Sequence, residues 1–68
     1  MSIFSNRLKE IRKERNFTQK NVADHLGIAE RAYQNYEYGK REPNLETLIK
    51  LANYFDVTLD FLSGRSDT

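Results

Sequence analysis

The stretch from Thr18 to Gly39, TQKNVADHLGIAERAYQNYEYG, decides the fold. Thr18 can accept a hydrogen bond from an orphan N–H of a helix beginning at Gln19, and Val22, Ala23 and Leu26 form that helix's short apolar stripe. Gly27 supplies the positive φ that lets the chain stop and turn within a few residues. After Ile28, the residues Ala29, Ala32, Tyr33 and Tyr36 recur at i, i+3, i+4 and i+7, which predicts a second helix ending at Gly39, with Pro43 forbidding its continuation. Counted from Gln19, a small residue, Ala23, stands fifth, and a bulkier side chain there would push the two helices apart. The outer face of the second helix is polar: Glu30, Arg31, Gln34, Asn35 and Tyr38.

Upstream, Phe4, Leu8, Ile11 and Arg15 recur at helical spacing, which predicts an amphipathic helix from about 3 to 15, capped by Ser2 and ended by Asn16 in a left-handed conformation. Phe17 then re-enters the core. Downstream, Asn44 caps a fourth helix whose predicted core face is Leu45, Leu48, Ile49, Ala52 and Phe55, with Glu46 beside the positive end of the helix dipole. Asp56 and Val57 break it. Thr58 caps a last short helix docked through Leu59 and Leu62 and stopped by Gly64. Without β-alternation or repeats, the reading is all-α with five helices. One domain spans residues 1–64, with the bihelical unit at 18–39 and a frayed tail at 65–68.

A quarter of the 68 residues are Leu, Ile, Val or Phe, enough apolar surface for a charged chain to fold. There is no cysteine and one histidine, His25, so disulfides, thiol chemistry and histidine-rich metal sites are excluded. No apolar run approaches the ~20 residues needed to span a bilayer, and the charges of MSIFSNRLKEIRK fall where a signal peptide needs its apolar stretch. A cytoplasmic, nucleoid-associated location is therefore expected, with no membrane partner. The three isolated glycines make no phosphate-cradling loop and no nucleophile has a positioned base, so the chain reads as non-enzymatic, without cofactor, metal or small-molecule ligand. The net charge of +1 hides an uneven distribution: residues 1–41 carry +4 and residues 42–68 carry −3.

Two helices joined by a short turn, the second with a polar outer face, form the arrangement whose second helix enters the DNA major groove. On LKEIRKERNFTQ, the Ala and Gly of the turn, and EYGKREPNLETLIKLANYFDVTLDFL, the chain closely resembles the Cro and repressor-type helix-turn-helix family, the XRE group, over nearly its whole length. The resemblance implies a five-helix, lambda-repressor-like fold. It further implies a transcriptional regulator of repressor type that binds a palindromic double-stranded DNA operator as a two-fold dimer. Carried over residue by residue, it places base reading on Ala29, Glu30, Arg31 and Asn35, with Gln34 reaching the flank, and phosphate anchoring on Gln19. It also implies a structural ion pair between Arg12 and Glu37. By their chemistry Arg31 suits guanine, Asn35 adenine, Glu30 a cytosine amino group and Ala29 a thymine methyl. Lys40, Arg41 and exposed Tyr38 would lie along the backbone.

Three residues depart from the family. Ala29 stands where Ser or Thr is usual, which removes a side-chain cap from the second helix of the unit, and Tyr33 and Tyr36 stand where aliphatic residues are usual. Their rings are expected to pack, with the hydroxyls at the surface or one of them on a phosphate. The alternative function is a protein-interaction module that uses the Tyr33–Tyr38 face. A homodimer, weak in solution and pairing on DNA, is expected to use Phe61, Leu59 or Tyr54.

Overall fold

The computed structural model describes residues 3–65, which form α1 (Ile3–Glu14), α2 (Gln19–Leu26), α3 (Glu30–Glu37), α4 (Leu45–Phe55) and α5 (Leu59–Ser63). Ser2 and residues 66–68, the expected cap of α1 and most of the expected frayed tail, lie outside the described residues. The starts of α2, α4 and α5 have local chemical causes. The Thr18 hydroxyl accepts from Asn21 N–H at 3.0 Å while Asn21 Oδ1 accepts from Thr18 N–H at 2.9 Å, a reciprocal capping box. At α4 and α5 the Asn44 and Thr58 side chains cap by accepting from the amides of Thr47 and Phe61, each at 2.9 Å.

The helix ends are equally regular. A residue in the left-handed region follows every helix: Asn16, Gly27, Gly39, Asp56 and Gly64. At the turn of the bihelical unit Gly27 has φ +72°, and the next amide, of Ile28, donates to Ala23 O at 3.0 Å, closing α2. At Gly64 space adds to conformation, because φ is +88° and a Cβ there would sit 2.7 Å from Ile3 Cγ2, where α5 lies on α1.

The helix α3 begins differently. Ala29 has the extended geometry of a cap, φ −66° and ψ 148°, but contributes no side-chain hydrogen bond. Ala29→Ser should therefore raise stability by about 1 kcal/mol in denaturant melts, because the hydroxyl would satisfy an orphan N–H. An unchanged midpoint would mean that packing alone holds the first turn of α3.

The core draws on all five helices: Leu8 and Ile11, Val22, Ala23 and Leu26, Tyr33, then Leu51, Ala52 and Phe55, and finally Leu62. Ala23 is buried where α2 meets α3, as its size requires. The rotation of α4 differs from the sequence reading. Leu45 is 66% exposed and Ile49 41% exposed, whereas Leu51 is fully buried. The buried stripe is Leu51, Ala52 and Phe55 with Leu48 partly buried against it, which places Leu45 and Ile49 on its rim. In α5, Leu62 is fully buried but Leu59 is 37% exposed, so docking runs through Leu62.

Arginines tie α1 to the rest. Arg15, at the end of the α1 stripe, donates to Phe55 O through Nε at 3.3 Å and Nη2 at 3.1 Å, which satisfies a terminal carbonyl of α4. Arg7 lies over the Phe61 ring, 4.6 Å from its centroid, and donates to Phe61 O at 2.6 Å. Tyr54 stacks between Phe17 at 4.8 Å and His25 at 4.1 Å. Phe61 and Tyr54, expected to be free for pairing, are thus half-buried and engaged; of that set only Leu59 is exposed.

Candidate nucleic-acid interface

Glu37, at the end of α3, is a buried carboxylate with four donors around it. Arg12 Nε donates to Oε2 at 2.5 Å and Nη2 to Oε1 at 3.2 Å; the Tyr33 hydroxyl donates to Oε2 at 2.5 Å and Gln19 Nε2 to Oε1 at 3.1 Å. Arg12 also donates to Phe17 O at 2.9 Å, so one guanidinium joins α1, the α1–α2 turn and α3. Burial alone would raise the Glu37 pKa, but the hydrogen bonds from Arg12, Tyr33 and Gln19 outweigh it and hold the carboxyl below its ordinary value. The Arg12 pKa is raised, chiefly by its hydrogen bond to Glu37. The Tyr33 pKa is raised by burial and by its bond to Glu37, so the phenol stays protonated and keeps donating.

Tyr33 corrects the sequence reading of the tyrosines. Its ring is fully buried and its hydroxyl ends on Glu37, at neither the surface nor a phosphate. Tyr36 packs edge-on against it with centroids 6.3 Å apart, which leaves Tyr38 as the exposed member of the Tyr33–Tyr38 face. Of the residues assigned to DNA, Ala29, Glu30, Arg31, Tyr38, Lys40 and Arg41 are exposed, and Gln19, Gln34 and Asn35 are partly so. Arg31, Asn35 and Tyr38 share the outer side of α3, opposite Tyr33 and Glu37, with Gln34 on its flank and Glu30 exposed in its first turn. Lys40 and Arg41 follow its C-terminus, where their amides donate to Asn35 O at 3.0 and 3.3 Å. Arg31, Lys40 and Arg41 form no ion pair with any described residue, whereas Lys20 is engaged by Asp24 at 3.3 Å.

Gln19 does not stand alone at the start of α2. Its Nε2 is on Glu37, and its Oε1 accepts from Gln34 Nε2 at 3.1 Å. The sequence reading missed this link and the part of Tyr33 in the network. The i, i+4 spacing of Tyr33 and Glu37 was the available signal for the second, but the contact of Gln34 with Gln19 crosses between helices and leaves no trace in spacing.

Two short helices joined at a glycine turn, braced from beneath by a buried carboxylate and polar on the outer side of the second, define a helix-turn-helix protein. The chain belongs to the helix-turn-helix family of the XRE type, whose family model matches residues 8–62. It is 52% identical over 60 residues to YqaE of Bacillus subtilis (strain 168), described as an uncharacterized HTH-type transcriptional regulator, covering 88% of this chain and 52% of that one. Among solved structures, a transcriptional regulator from Listeria innocua superposes with a TM-score of 0.85 at 33% identity, covering 90% of this chain and 57% of that one. The restriction-modification controller protein C.AhdI from Aeromonas hydrophila gives a TM-score of 0.80 at 28% identity, covering 88% and 91%. The chain spans about half the length of the curated relatives it matches. No helix of the described residues is long and apolar enough to cross a membrane.

Proposed function

We propose that this chain is a sequence-specific double-stranded DNA-binding regulator of transcription, without enzymatic activity, that represses by occupying a palindromic operator on the nucleoid. The observation that carries this reading is the outer face of α3. Arg31 is exposed there beside Asn35, Glu30 is exposed in the first turn, and the unpaired cations Lys40 and Arg41 follow at its C-terminal end. Arg31 and Asn35 carry the planar donor and acceptor sets that match guanine and adenine edges, while Lys40 and Arg41 supply charge that a phosphate neutralises without regard to sequence. Gln19 keeps one N–H of its amide beyond the bond to Glu37, and that N–H serves a phosphate at the start of α2. Two copies pair on a two-fold site, and the exposed apolar residues Leu45, Ile49 and Leu59 of α4 and α5 form the contact.

Selection from a random duplex pool tests this. A two-fold motif should emerge with half-site centres about 34 Å apart, one helical turn, and affinity should fall steeply with salt. On single-base-pair variants of that motif, Arg31→Ala should relax preference at one base pair per half-site by about 1–3 kcal/mol. Lys40→Ala should instead weaken binding to all variants alike and reduce the salt slope by about one unit per subunit. No enriched motif, or a flat salt dependence, would overturn the reading; a change of base preference in Lys40→Ala with a uniform loss in Arg31→Ala would misplace the helix in the groove.

A further inference from the structure

Every hydrogen bond that Glu37 makes comes from a donor: Arg12 Nη2 and Gln19 Nε2 on Oε1, Arg12 Nε and the Tyr33 hydroxyl on Oε2. An ionised carboxylate only accepts, so the end of the Gln19 amide that faces it is the nitrogen. Gln19 Oε1 then points the other way and accepts from Gln34 Nε2. The second amide is oriented by the first, with one Gln34 N–H committed to Gln19. The Gln34 Oε1 and its remaining N–H have no partner among the described residues, and no buried side-chain nitrogen or oxygen there lacks a hydrogen bond, so this oxygen is open to solvent. Gln34 lies one turn from both Glu30 and Tyr38, on the flank of the outer side of α3. The polarity of a buried charge is thus carried to the surface of the recognition helix.

We propose that Gln34 is a specificity-determining residue that reads adenine, its orientation imposed by Glu37 through Gln19. The inference rests on the reading of α3 as the helix in the major groove. A fixed oxygen acceptor beside one free N–H matches the N6 amino donor and N7 acceptor of adenine, whereas guanine sets its O6 acceptor against the glutamine oxygen. A glutamine free to turn would present N–H to guanine as readily. Here turning Gln34 alone would set its oxygen against Gln19 Oε1, and turning both would set the Gln19 oxygen against the Glu37 carboxylate.

The test uses duplexes that the protein itself selects from a random pool, their single-base-pair variants, and a duplex with purine, which lacks the N6 amino group, in place of the adenine concerned. Thermal melts check that each variant is folded. One position per half-site should favour adenine over guanine by about tenfold, and Gln34→Ala should abolish that preference and no other. Purine there should weaken the unaltered protein about tenfold and leave Gln34→Ala unaffected. Gln19→Leu leaves Glu37 its Arg12 and Tyr33 donors but releases Gln34, so the adenine-to-guanine ratio should shrink to less than about threefold, whatever the overall loss of affinity. A Gln34→Ala variant with every base preference intact, or a Gln34-dependent preference for guanine or thymine, would overturn the proposal. An undiminished ratio in Gln19→Leu would overturn the relay. Absence of any selected motif would instead remove the DNA-binding reading on which the proposal stands.

Discussion

Glu37→Ala and Arg12→Ala should each lower stability by about 3–5 kcal/mol in denaturant melts, a large part of what a domain this small possesses. The guanidinium side chain is 11% exposed and the carboxylate fully buried, so removing either leaves a charge with little water to solvate it. Glu37→Ala also strands the Tyr33 hydroxyl in the core and frees the Gln19 amide. The double change should cost less than the sum, because each single change already includes the penalty of the abandoned partner; strictly additive losses would show that the pair is not coupled. The same network predicts an acid limb. Its folded-state pKa lies below the ordinary 4.5, so as pH falls the unfolded chain takes up a proton that the folded one refuses. The stabilisation is complete above that ordinary value and is lost as pH falls through the folded-state one. In Glu37→Gln this component should vanish, and a melting temperature with the same acid dependence as the parent would contradict it.

Leu51→Ala should cost about 2–5 kcal/mol, while Leu45→Ala should stay within about 0.5 kcal/mol. Both are leucines of α4 six residues apart, and α4 is apolar over a wide arc. Leu51 is fully enclosed, so its truncation leaves a cavity, whereas Leu45 is mostly in water already. Chemical denaturation of the two variants measures the rotation of α4 directly. Comparable losses, or a larger one at Leu45, would mean that α4 faces the core through a stripe turned toward Leu45 and Ile49.

The sequence by itself determined the helices, their ends and the class of protein. Thr18, Asn44 and Thr58 cap where hydroxyl or amide oxygens stand beside orphan N–H groups, and Asn16, Gly27, Gly39, Asp56 and Gly64 end the helices because a left-handed residue closes the last turn. These causes act within four or five residues, so spacing along the chain suffices to find them. The family resemblance added the pairing of Arg12 with Glu37 and the residues assigned to DNA. Only the tertiary structure decided the rotation of α4: Leu45, Leu48, Ile49, Leu51, Ala52 and Phe55 cover so much of the helical wheel that periodicity admits two stripes, and the packing of α2 and α5 selects one. It alone also set Arg7 and Arg15 on the ends of α5 and α4, 54 and 40 residues away in the chain, and joined Gln34 through Gln19 to a buried carboxylate. A glutamate in a sequence looks the same whether water or four donors surround it, because burial is a property of the assembled helices and not of any one of them.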